Sequence, residues 1–425
     1  MPLAKVLEKL YSRRRFGIKP GVDRVRRLLD SLGHPDRTFR SIHVVGTNGK
    51  GSTSAFLASI LSSAGLRTAL FTSPHLVSFN ERFRINGREI PSDKLAPLID
   101  TVLAATTGDE TFFEIVTAMA ACYFADEQVE IAIMEAGMGG RSDATAALNG
   151  ISTVITPVSL DHCDYLGTTL AEIAREKGGI AKPGTPVIIG PQQPDAGNAL
   201  AELFQSGSNP LTWSERSTAS HWNSNGTLDY QGLSVTLANL ISGIPGRYQC
   251  SNAALALAAA EVLTQNGITI PRAALVKGIA HASWPGRMEM ISGNPRLLLD
   301  GAHNPAGAAA LADSLANVSR RKLLLVLGLM GDKDLAGIVS PLAPLADACY
   351  CVSPAIERSM DCRELADRVT RLGWPARPCG SVGDGITAAR QDAAANDLIL
   401  VCGSLFTVGE AKAWLAGTPF EGIRG

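Results

Sequence analysis

The chain has 425 residues, enough for two or three domains, and 45% of them are hydrophobic, which supplies material for buried cores. Lysine and arginine number 39 and aspartate and glutamate 40, so the net charge of −1 argues against a general nucleic-acid binder. No uninterrupted apolar segment opens the chain and nowhere do about 18 apolar residues follow one another, so we expect no signal peptide, no membrane span and a cytoplasmic protein.

Short runs rich in Val and Ile alternate with Ala- and Leu-rich segments of helical spacing, which is typical of an α/β fold with a mainly parallel sheet. The predicted strands cover residues 41–45, 67–71, 130–134, 153–157, 186–189, 297–299, 322–327, 348–352 and 398–401. Residues 205–235 are more polar and contain Trp, Asn and Gly, which predicts an antiparallel hairpin. Residues 253–263 are Ala-rich and are interrupted by Glu261, which predicts a buried helix.

The strand at 41–45 leads into a glycine-rich turn ahead of a predicted helix at 55–64. The turn consists of Gly46, Thr47, Asn48, Gly49, Lys50, Gly51 and Ser52. Glycines let backbone N–H groups approach phosphate oxygens, and a helix N-terminus favours anions. This order predicts an ATP-binding phosphate loop in which Lys50 reaches the β- and γ-phosphates and Ser52 helps to hold Mg²⁺. Gly51 departs from the generic pattern, in which the hydroxyl residue follows Lys directly, and an ordinary strand–helix turn is the alternative.

Two chemically active side chains follow later strands of the same predicted sheet. Glu135 ends the strand at 130–134 and precedes a glycine-rich turn, and His162 follows the strand at 153–157. The carboxyl ends of parallel strands share one edge, so both side chains are expected near the phosphate loop, with Glu135 close to Mg²⁺. The alternatives are a surface acid and a histidine with a purely structural role.

A Trp-Pro-Gly-Arg sequence at residues 284–287 ends one helical segment and turns the chain. We place a domain boundary there. Residues 1–284 are predicted to form a P-loop domain with a mainly parallel sheet, and residues 285–425 a smaller Rossmann-like α/β domain. Eight cysteines are scattered without a C-x-x-C pair, which favours reduced thiols over a zinc site.

Three segments together resemble a known family. They are GTNGKGS at residues 46–52, LDH…EKGGI at 160–180 and DGAHNP at 300–305. The chain resembles the folylpolyglutamate synthases and the bifunctional dihydrofolate synthase–folylpolyglutamate synthases of the Mur ligase superfamily, from residues 16–21 through Ser404. The resemblance implies an ATP-dependent ligase that adds L-glutamate to dihydropteroate, to a tetrahydrofolyl-polyglutamate or to both. The implied route is an acyl phosphate, with release of ADP and phosphate, and we expect a monomer.

The resemblance also assigns the metal site. It makes Ser73 a third Mg²⁺ ligand beside Glu135 and His162, and residues 78–87 a mobile loop over the site, for which a charged surface hairpin is the alternative. Lys177 matches a lysine that is commonly carbamylated in Mur-type ligases, where the resulting carboxylate supports Mg²⁺. By its position alone, Lys177 would be a solvated residue of a charged helix end.

The remaining assignments concern nucleotide and substrate. The resemblance places Asn252 on the adenine, for which a helix N-cap is the alternative, Arg287 on a phosphate and Asp300 on the nucleotide. It places His303 near the incoming glutamate and Ser404 in the amino-acid site. The implied pterin-side pocket contains Thr111, Phe113, Asp143 and Ala144, and it lies next to Ala146, where the family usually has Asn.

Three other functions use a similar loop. A Mur-type ligase of UDP-muramyl substrates shares the loop but does not account for the other two segments together. A P-loop nucleotide switch would need a guanine-binding N-K-x-D motif, which residues 331–334 do not supply. A non-catalytic ATP-binding scaffold would be expected to lack some of Lys50, Ser73, Glu135 and His162, all of which are present.

Overall fold

The structure is a computed structural model that describes residues 3–12, 21–205 and 207–422. Residues 16–20, at the start of the part of the chain that resembles the family, therefore lie outside the described residues. The helices are α1 (Leu3–Ser12), α2 (Asp23–Ser31), α3 (Lys50–Ser63), α4 (Ser92–Ala104), α5 (Phe112–Asp126), α6 (Cys163–Leu166), α7 (Leu170–Gly178), α8 (Pro194–Gln205), α9 (Ser214–Ser217), α10 (Gln249–Gln265), α11 (Arg272–His281), α12 (Pro305–Leu315), α13 (Leu335–Leu342), α14 (Cys362–Arg371), α15 (Val382–Asp392) and α16 (Leu405–Ala416).

Eight strands form the first sheet. They are β1 (Arg40–Val45), β2 (Thr68–Phe71), β3 (Phe83–Ile85), β4 (Arg88–Glu89), β5 (Ile131–Glu135), β6 (Gly150–Ile155), β7 (Val187–Ile189) and β8 (Leu211–Trp213). Their order is β4-β3-β2-β5-β1-β6-β7-β8, and only the edge pairs β2–β3 and β3–β4 are antiparallel. The carboxyl ends of β1, β2, β5 and β6 therefore lie side by side at one edge.

The polar segment predicted as an antiparallel hairpin is an antiparallel sheet of three strands. These are β9 (Ala219–Trp222), β10 (Thr227–Gln231) and β11 (Thr236–Ile241), in the order β11-β10-β9. Leu228, Leu237 and Leu240 of this sheet are buried in one core with the Ala-rich face of α10. The predicted helix at 253–263 is thus confirmed as the buried helix α10, with longer bounds.

Six strands form a second sheet after residue 288. They are β12 (Glu289–Ile291), β13 (Arg296–Leu299), β14 (Leu323–Leu327), β15 (Ala348–Cys351), β16 (Ala376–Pro378) and β17 (Leu398–Cys402). Their order is β12-β13-β17-β14-β15-β16, and all pairs except β12–β13 are parallel. The neighbouring strands β13 and β17 end just before Asp300 and Ser404, so these two residues share an edge.

Every predicted strand is present, and the two sheets confirm the α/β class. The inner strands β1, β5, β14 and β17 are almost continuously buried, as expected where helices cover the two faces of a parallel sheet. The predicted boundary at residue 284 falls between the two sheets, and the division into 1–284 and 285–425 stays a prediction. Within the described residues, no helix is long and apolar enough to cross a membrane. All eight cysteines carry free thiols.

Candidate active site

The phosphate loop connects β1 to α3. The N–H groups of Thr47 and Asn48 donate to Pro157 O at 3.0 and 3.2 Å, and Thr47 Oγ1 donates to Ser159 O at 3.1 Å, so the turn is braced against the loop after β6. Gly49 precedes the helix with φ of 88°, a conformation that favours glycine. The helix begins at Lys50, five residues before the predicted start. Lys50 and Ser52 therefore lie in its first turn, where the helix dipole favours phosphate.

A buried amide pair orders the side chains beside this turn. Gln249 Nε2 donates to Ser52 Oγ at 3.1 Å, and Asn252 Nδ2 donates to Gln249 Oε1 at 2.8 Å. Because α10 begins at Gln249 after the N-cap Tyr248, Asn252 lies inside the helix and the N-cap alternative is wrong. Gln249 was not predicted as a site residue. Its role becomes apparent only from the folded structure, where it is buried and bonded to both Ser52 and Asn252.

Glu135 and Ser73 meet at the carboxyl ends of β5 and β2. Burial raises the pKa of Glu135 to about 7, opposed by the Lys50 ammonium and by a hydrogen bond from the Ser73 N–H. Glu135 Oε2 is buried and has no hydrogen-bond partner. Both residues line a cavity of about 50 Å³ that also contacts Gly51 and Arg287.

These residues fit a magnesium ion. An unpartnered carboxylate oxygen beside a hydroxyl supplies oxygen ligands, and Mg²⁺ commonly binds through one or two carboxylates plus substrate phosphates and water. Across the described ranges, no group of three or more His, Cys, Asp or Glu side chains is placed to hold a metal ion. A cation here would therefore depend on the phosphates of a bound nucleotide.

His162 lies apart from that cavity. It follows β6 as predicted, its side chain is 48% exposed, and its Nε2 is 4.0 Å from Asp161 Oδ2. Partial burial lowers the pKa of His162, while Asp161 opposes the shift. The structure thus brings Ser73 and Glu135 together and leaves His162 outside the cavity lining, so its role as a metal ligand stays a prediction.

Lys177 is buried beneath the phosphate loop. Its side chain extends from α7, and its Nζ donates to Gly46 O at 2.8 Å. The solvated alternative is wrong, because the residue is only 5% exposed. Burial, together with the nearby Lys50 ammonium, lowers the pKa of Lys177 to about 7. A substantial fraction of the amine is therefore neutral at physiological pH, which is the form that can react with CO₂.

The second half of the chain contributes Arg287, Asp300 and His303. Asp300 is buried and accepts from Tyr248 Oη at 2.7 Å and from the N–H groups of Met288 and Ala302 at 2.9 Å. These bonds fix the turn that presents Arg287 to the cavity, so Asp300 has a structural function in addition to its predicted nucleotide contact.

The two ring nitrogens of His303 have different surroundings, a backbone carbonyl beside Nδ1 and the Asp161 carboxylate near Nε2. Its Nδ1 is 2.8 Å from Gly301 O, and because a carbonyl can only accept, Nδ1 carries the proton. Its Nε2 is then unprotonated and lies 3.9 Å from Asp161 Oδ2. Burial lowers the pKa of His303 to about 4, so the ring is neutral at physiological pH.

Two contacts that join the halves of the chain were missed by sequence reasoning. Lys333 Nζ lies 2.9 Å from Asp161 Oδ1, and Asn304 Nδ2 donates to Asn48 Oδ1 at 2.9 Å. Burial alone would raise the pKa of Asp161, but Lys333 and the neighbouring His162 hold it at about 2. Asp161 adjoins the predicted His162, but no sequence motif connects Lys333 to it.

The predicted substrate residues all make structural contacts. Thr111 caps α5 by accepting from the Glu114 N–H, and Asp143 accepts from the N–H groups of Met138 and Thr145. The Phe113 ring lies 5.9 Å from the Phe71 ring, and it packs against the apolar cluster that contains Ala144. Ser404 caps α16 by accepting from the Thr407 N–H at 3.0 Å. Substrate contact by these five residues stays a prediction.

The phosphate loop, the buried lysine and the second sheet that closes against them define an ATP-dependent ligase of the Mur type. Family models agree: residues 44–260 match the Mur ligase middle domain, and residues 286–405 match the glutamate ligase domain of Mur ligases.

Curated relatives narrow the assignment. The chain is 32% identical to the dihydrofolate synthase/folylpolyglutamate synthase of Bacillus subtilis, over 95% of this chain and 96% of that protein. It is 36% identical to a probable bifunctional folylpolyglutamate synthase/dihydropteroate synthase of Haloferax volcanii, of which it spans about half, 49%. The chain belongs to the folylpolyglutamate synthase/dihydrofolate synthase family, whose reaction is the ATP-dependent ligation of glutamate to folate substrates.

Solved structures share the whole fold. The folylpolyglutamate synthase of Mycobacterium tuberculosis complexed with ADP has a TM-score of 0.91 and 34% identity, covering 98% of this chain and 99% of that one. E. coli FolC in complex with DHPP and ADP has a TM-score of 0.89 and 32% identity, covering 98% of both chains. A bifunctional folylpolyglutamate synthase/dihydrofolate synthase with Mn, AMPPNP and L-glutamate bound has a TM-score of 0.88 and 32% identity, again covering 98% of both.

Proposed function

We propose that this protein adds L-glutamate to dihydropteroate, to a tetrahydrofolyl-polyglutamate or to both, using Mg²⁺ and ATP. The observation that carries the proposal is the small cavity between the two sheets. Gly51 of the phosphate loop, the orphaned carboxylate of Glu135 and the guanidinium of Arg287 all face it. The ligands named for two related structures support this proposal: DHPP with ADP in one, and Mn, AMPPNP and L-glutamate in the other.

The chemistry needs activation because a carboxylate is a poor electrophile. A carboxylate oxygen of the folate substrate attacks the γ-phosphorus of ATP, and ADP leaves. The amino nitrogen of glutamate then attacks the acyl carbon, the C–N bond forms, and the C–O bond to phosphate breaks. The departing phosphate keeps one oxygen from the substrate carboxylate, and the amine loses a proton.

The chain's own residues neutralise and position the reacting groups. Lys50 at the start of α3, whose charge acts on Glu135, and Arg287, which lines the cavity from the second half, supply positive charge where negative charge develops during phosphoryl transfer. A bound Mg²⁺, held by Ser73 and Glu135 with His162 as the proposed third ligand, would supply further positive charge and orient the phosphates. The closely packed second half excludes water that would hydrolyse an acyl phosphate.

Two further residues have proposed roles next to the reacting atoms. Lys177, neutral in part, is positioned to form a carbamate directly below Gly46. The unprotonated Nε2 of His303 can accept a hydrogen bond from the glutamate amine, which would orient its lone pair toward the acyl carbon. The adenine contact of Asn252, the amino-acid contact of Ser404, the cytoplasmic location and the monomeric state stay predictions.

An isotope experiment tests the route. The substrate carboxylate is labelled with ¹⁸O and the released phosphate is analysed by mass spectrometry in three reactions, with dihydropteroate, tetrahydrofolate and a UDP-muramyl acceptor. We expect one labelled oxygen in the phosphate with a folate-type substrate and no reaction with the UDP-muramyl acceptor. Glutamylated product with unlabelled phosphate would refute the acyl phosphate, and reaction with the UDP-muramyl acceptor alone would refute the proposed substrate class.

A further inference from the structure

The loop that carries Ser73, residues 73–82, is folded around one carboxylate. Glu81 accepts from the N–H groups of Leu76 and Val77 at 2.8 Å and of Ser78 at 2.9 Å. Three charge-assisted hydrogen bonds to one side chain make this segment, called here the Ser73 loop, a compact unit. A displacement of its far end is therefore transmitted toward Ser73.

The part of the Ser73 loop around Leu76 is inserted into the second half of the chain. Leu76 is buried in the core that contains Leu297, Val401 and Val408 of the second sheet and α16. Its backbone carbonyl lies against Gly409 of α16 so closely that a Cβ at Gly409 would overlap it. Leu76 thus packs with the second half, whereas Phe79 of the same loop packs with Phe71 and Phe83 in a core of the first half.

Residues 418–422, which follow α16, cover this insertion. Glu421 Oε2 accepts from the Phe79 N–H at 2.9 Å, at the start of the 3-10 helix Phe79–Arg82. The ring of Phe420 lies against Gly409, 3.1 Å from the position of a Cβ there. Phe79 itself is fully buried, so its N–H would lack a partner if Glu421 moved away.

We propose that residues 418–422, through Glu421, are a positioning segment that holds the Ser73 loop, and with it Ser73, at the metal site. The inference rests on the proposed metal role of Ser73. Glu421 itself does not line the cavity that contains Ser73 and Glu135. Its contribution is geometric: it fixes the end of a compact loop whose beginning supplies a ligand oxygen, and a small misplacement of such an oxygen weakens a cation that demands near-ideal octahedral geometry.

The experiment measures Mn²⁺ bound by the full chain in the presence of AMPPNP, from the paramagnetic resonance signal of free Mn²⁺. We expect Glu421→Ala to weaken Mn²⁺ binding about fivefold, the effect of losing one ordinary hydrogen bond, and to lower kcat with the KM for glutamate unchanged. Glu421→Gln keeps an acceptor for the Phe79 N–H and is expected to bind Mn²⁺ within about twofold of the unaltered protein. Glu364→Ala, which removes an exposed carboxylate that forms an ion pair with Arg368 on the same helix, is the matched control.

Ser73→Ala distinguishes the proposed role of residues 418–422 from the proposed metal role of Ser73. If Ser73→Ala weakens Mn²⁺ binding and Glu421→Ala does not, the positioning segment is refuted and the metal site stands. If Ser73→Ala leaves Mn²⁺ binding unchanged, the proposed metal role of Ser73 fails first. Should Glu421→Ala not fold, Phe420→Ala removes the second contact of the same segment, and it is expected to weaken Mn²⁺ binding in the same direction.

Discussion

Single side chains at the candidate site take their chemistry from the burial that the sheet imposes on them. Glu135 and Lys177 carry opposite charges in water, and burial shifts the pKa of each to about 7. Each side chain therefore lies close to the point where it changes charge at physiological pH, a property common in functional sites. The sequence identified Glu135 from the end of a strand, but it could not show that Lys177 is buried, because its neighbours along α7 are charged.

Lys50→Ala is expected to lower the rate of ligation by on the order of 10²–10³ while leaving the fold intact. This is the usual cost of losing one donor to developing charge. Within the protein, Lys50 Nζ bonds to Thr47 O at 3.2 Å, so little stability depends on it. Steady-state ligation and thermal unfolding, measured on the same sample, check both statements, and turnover like that of the unaltered protein would contradict the assignment.

A carbamate on Lys177 is expected to be visible by ¹³C NMR after addition of ¹³C-bicarbonate to the complex with Mg²⁺ and AMPPNP. The neutral amine reacts, and its fraction increases as the pH increases through the pKa of Lys177 at about 7, so the carbamate signal should be stronger at pH 8 than at pH 6. Lys177→Arg, which cannot form the carbamate, is the control. A spectrum at pH 8 identical to that of the control would show that Lys177 remains an amine.

The sequence predicted secondary-structure elements well where the local residue pattern determines them. It predicted them poorly where packing against other parts of the chain determines them. The buried parallel strands were predicted from their runs of Val, Ile and Leu. The short strands β3, β4, β8, β12 and β16 were missed because each has only two or three residues and none consists of such an apolar run, although β8 and β16 are parallel to their neighbours. The start of α3 was placed too late because its first turn consists of loop-like residues, Lys50 to Ser54, that become helical once the loop is braced on Pro157. The position of Glu135 at a strand end was predictable for the same reason as its strand, because it directly follows the apolar run of β5.

Glu261 connects α10 to the antiparallel sheet that precedes it in the sequence. The residue interrupts the Ala-rich α10, and its carboxylate accepts from Tyr230 Oη at 2.7 Å and from the N–H groups of Leu233, Ser234 and Val235. Glu261→Gln replaces an acceptor oxygen by a donor facing those N–H groups, and it is expected to lower the free energy of unfolding by about 2–3 kcal/mol. Urea unfolding measures the change. Gln265→Ala, on the exposed end of the same helix, should change it little, and equal values for the two variants would contradict the prediction.

His43 on β1 should make stability depend on pH. It is fully buried, and burial, with the Lys182 charge, lowers its pKa to about 4 in the folded chain. Between pH 6.5 and about 4 the unfolded chain binds a proton at His43 that the folded chain does not, so stability falls as the pH falls through this window. The full difference corresponds to about 3 kcal/mol.

His43→Gln can keep a donor to Thr145 O, the acceptor of His43 Nε2 at 3.0 Å, and removes the titration. The variant is expected to lose about 3 kcal/mol less stability than the unaltered protein on going from pH 6.5 to pH 4, by urea unfolding at each pH. Other histidines titrate equally in both proteins and cancel in the comparison. Parallel stability curves across the window would show that His43 does not contribute.

The two halves of the molecule meet where the sheet edges face each other. Asp161 with Lys333, Asn48 with Asn304, and the inserted Leu76 each join residues far apart in the sequence. Such pairs carry no local signal in the sequence. Sequence reasoning therefore identified the phosphate loop and the carboxylate at the end of β5, but not these contacts. The near-neutral net charge is consistent with anions met by local groups such as Lys50 and Arg287, without an overall basic surface.

The central claim is that this site ligates glutamate to a folate-type acceptor with ATP. The most direct measurement is glutamate-dependent phosphate release with dihydropteroate and with tetrahydrofolate, each compared with a reaction lacking glutamate, with the product mass determined in parallel. We predict phosphate release and a product larger by one glutamate residue with at least one of the two acceptors, and a much lower rate of both with Lys50→Ala. Absence of both signals with both acceptors, in folded protein with Mg²⁺ present, would contradict the account.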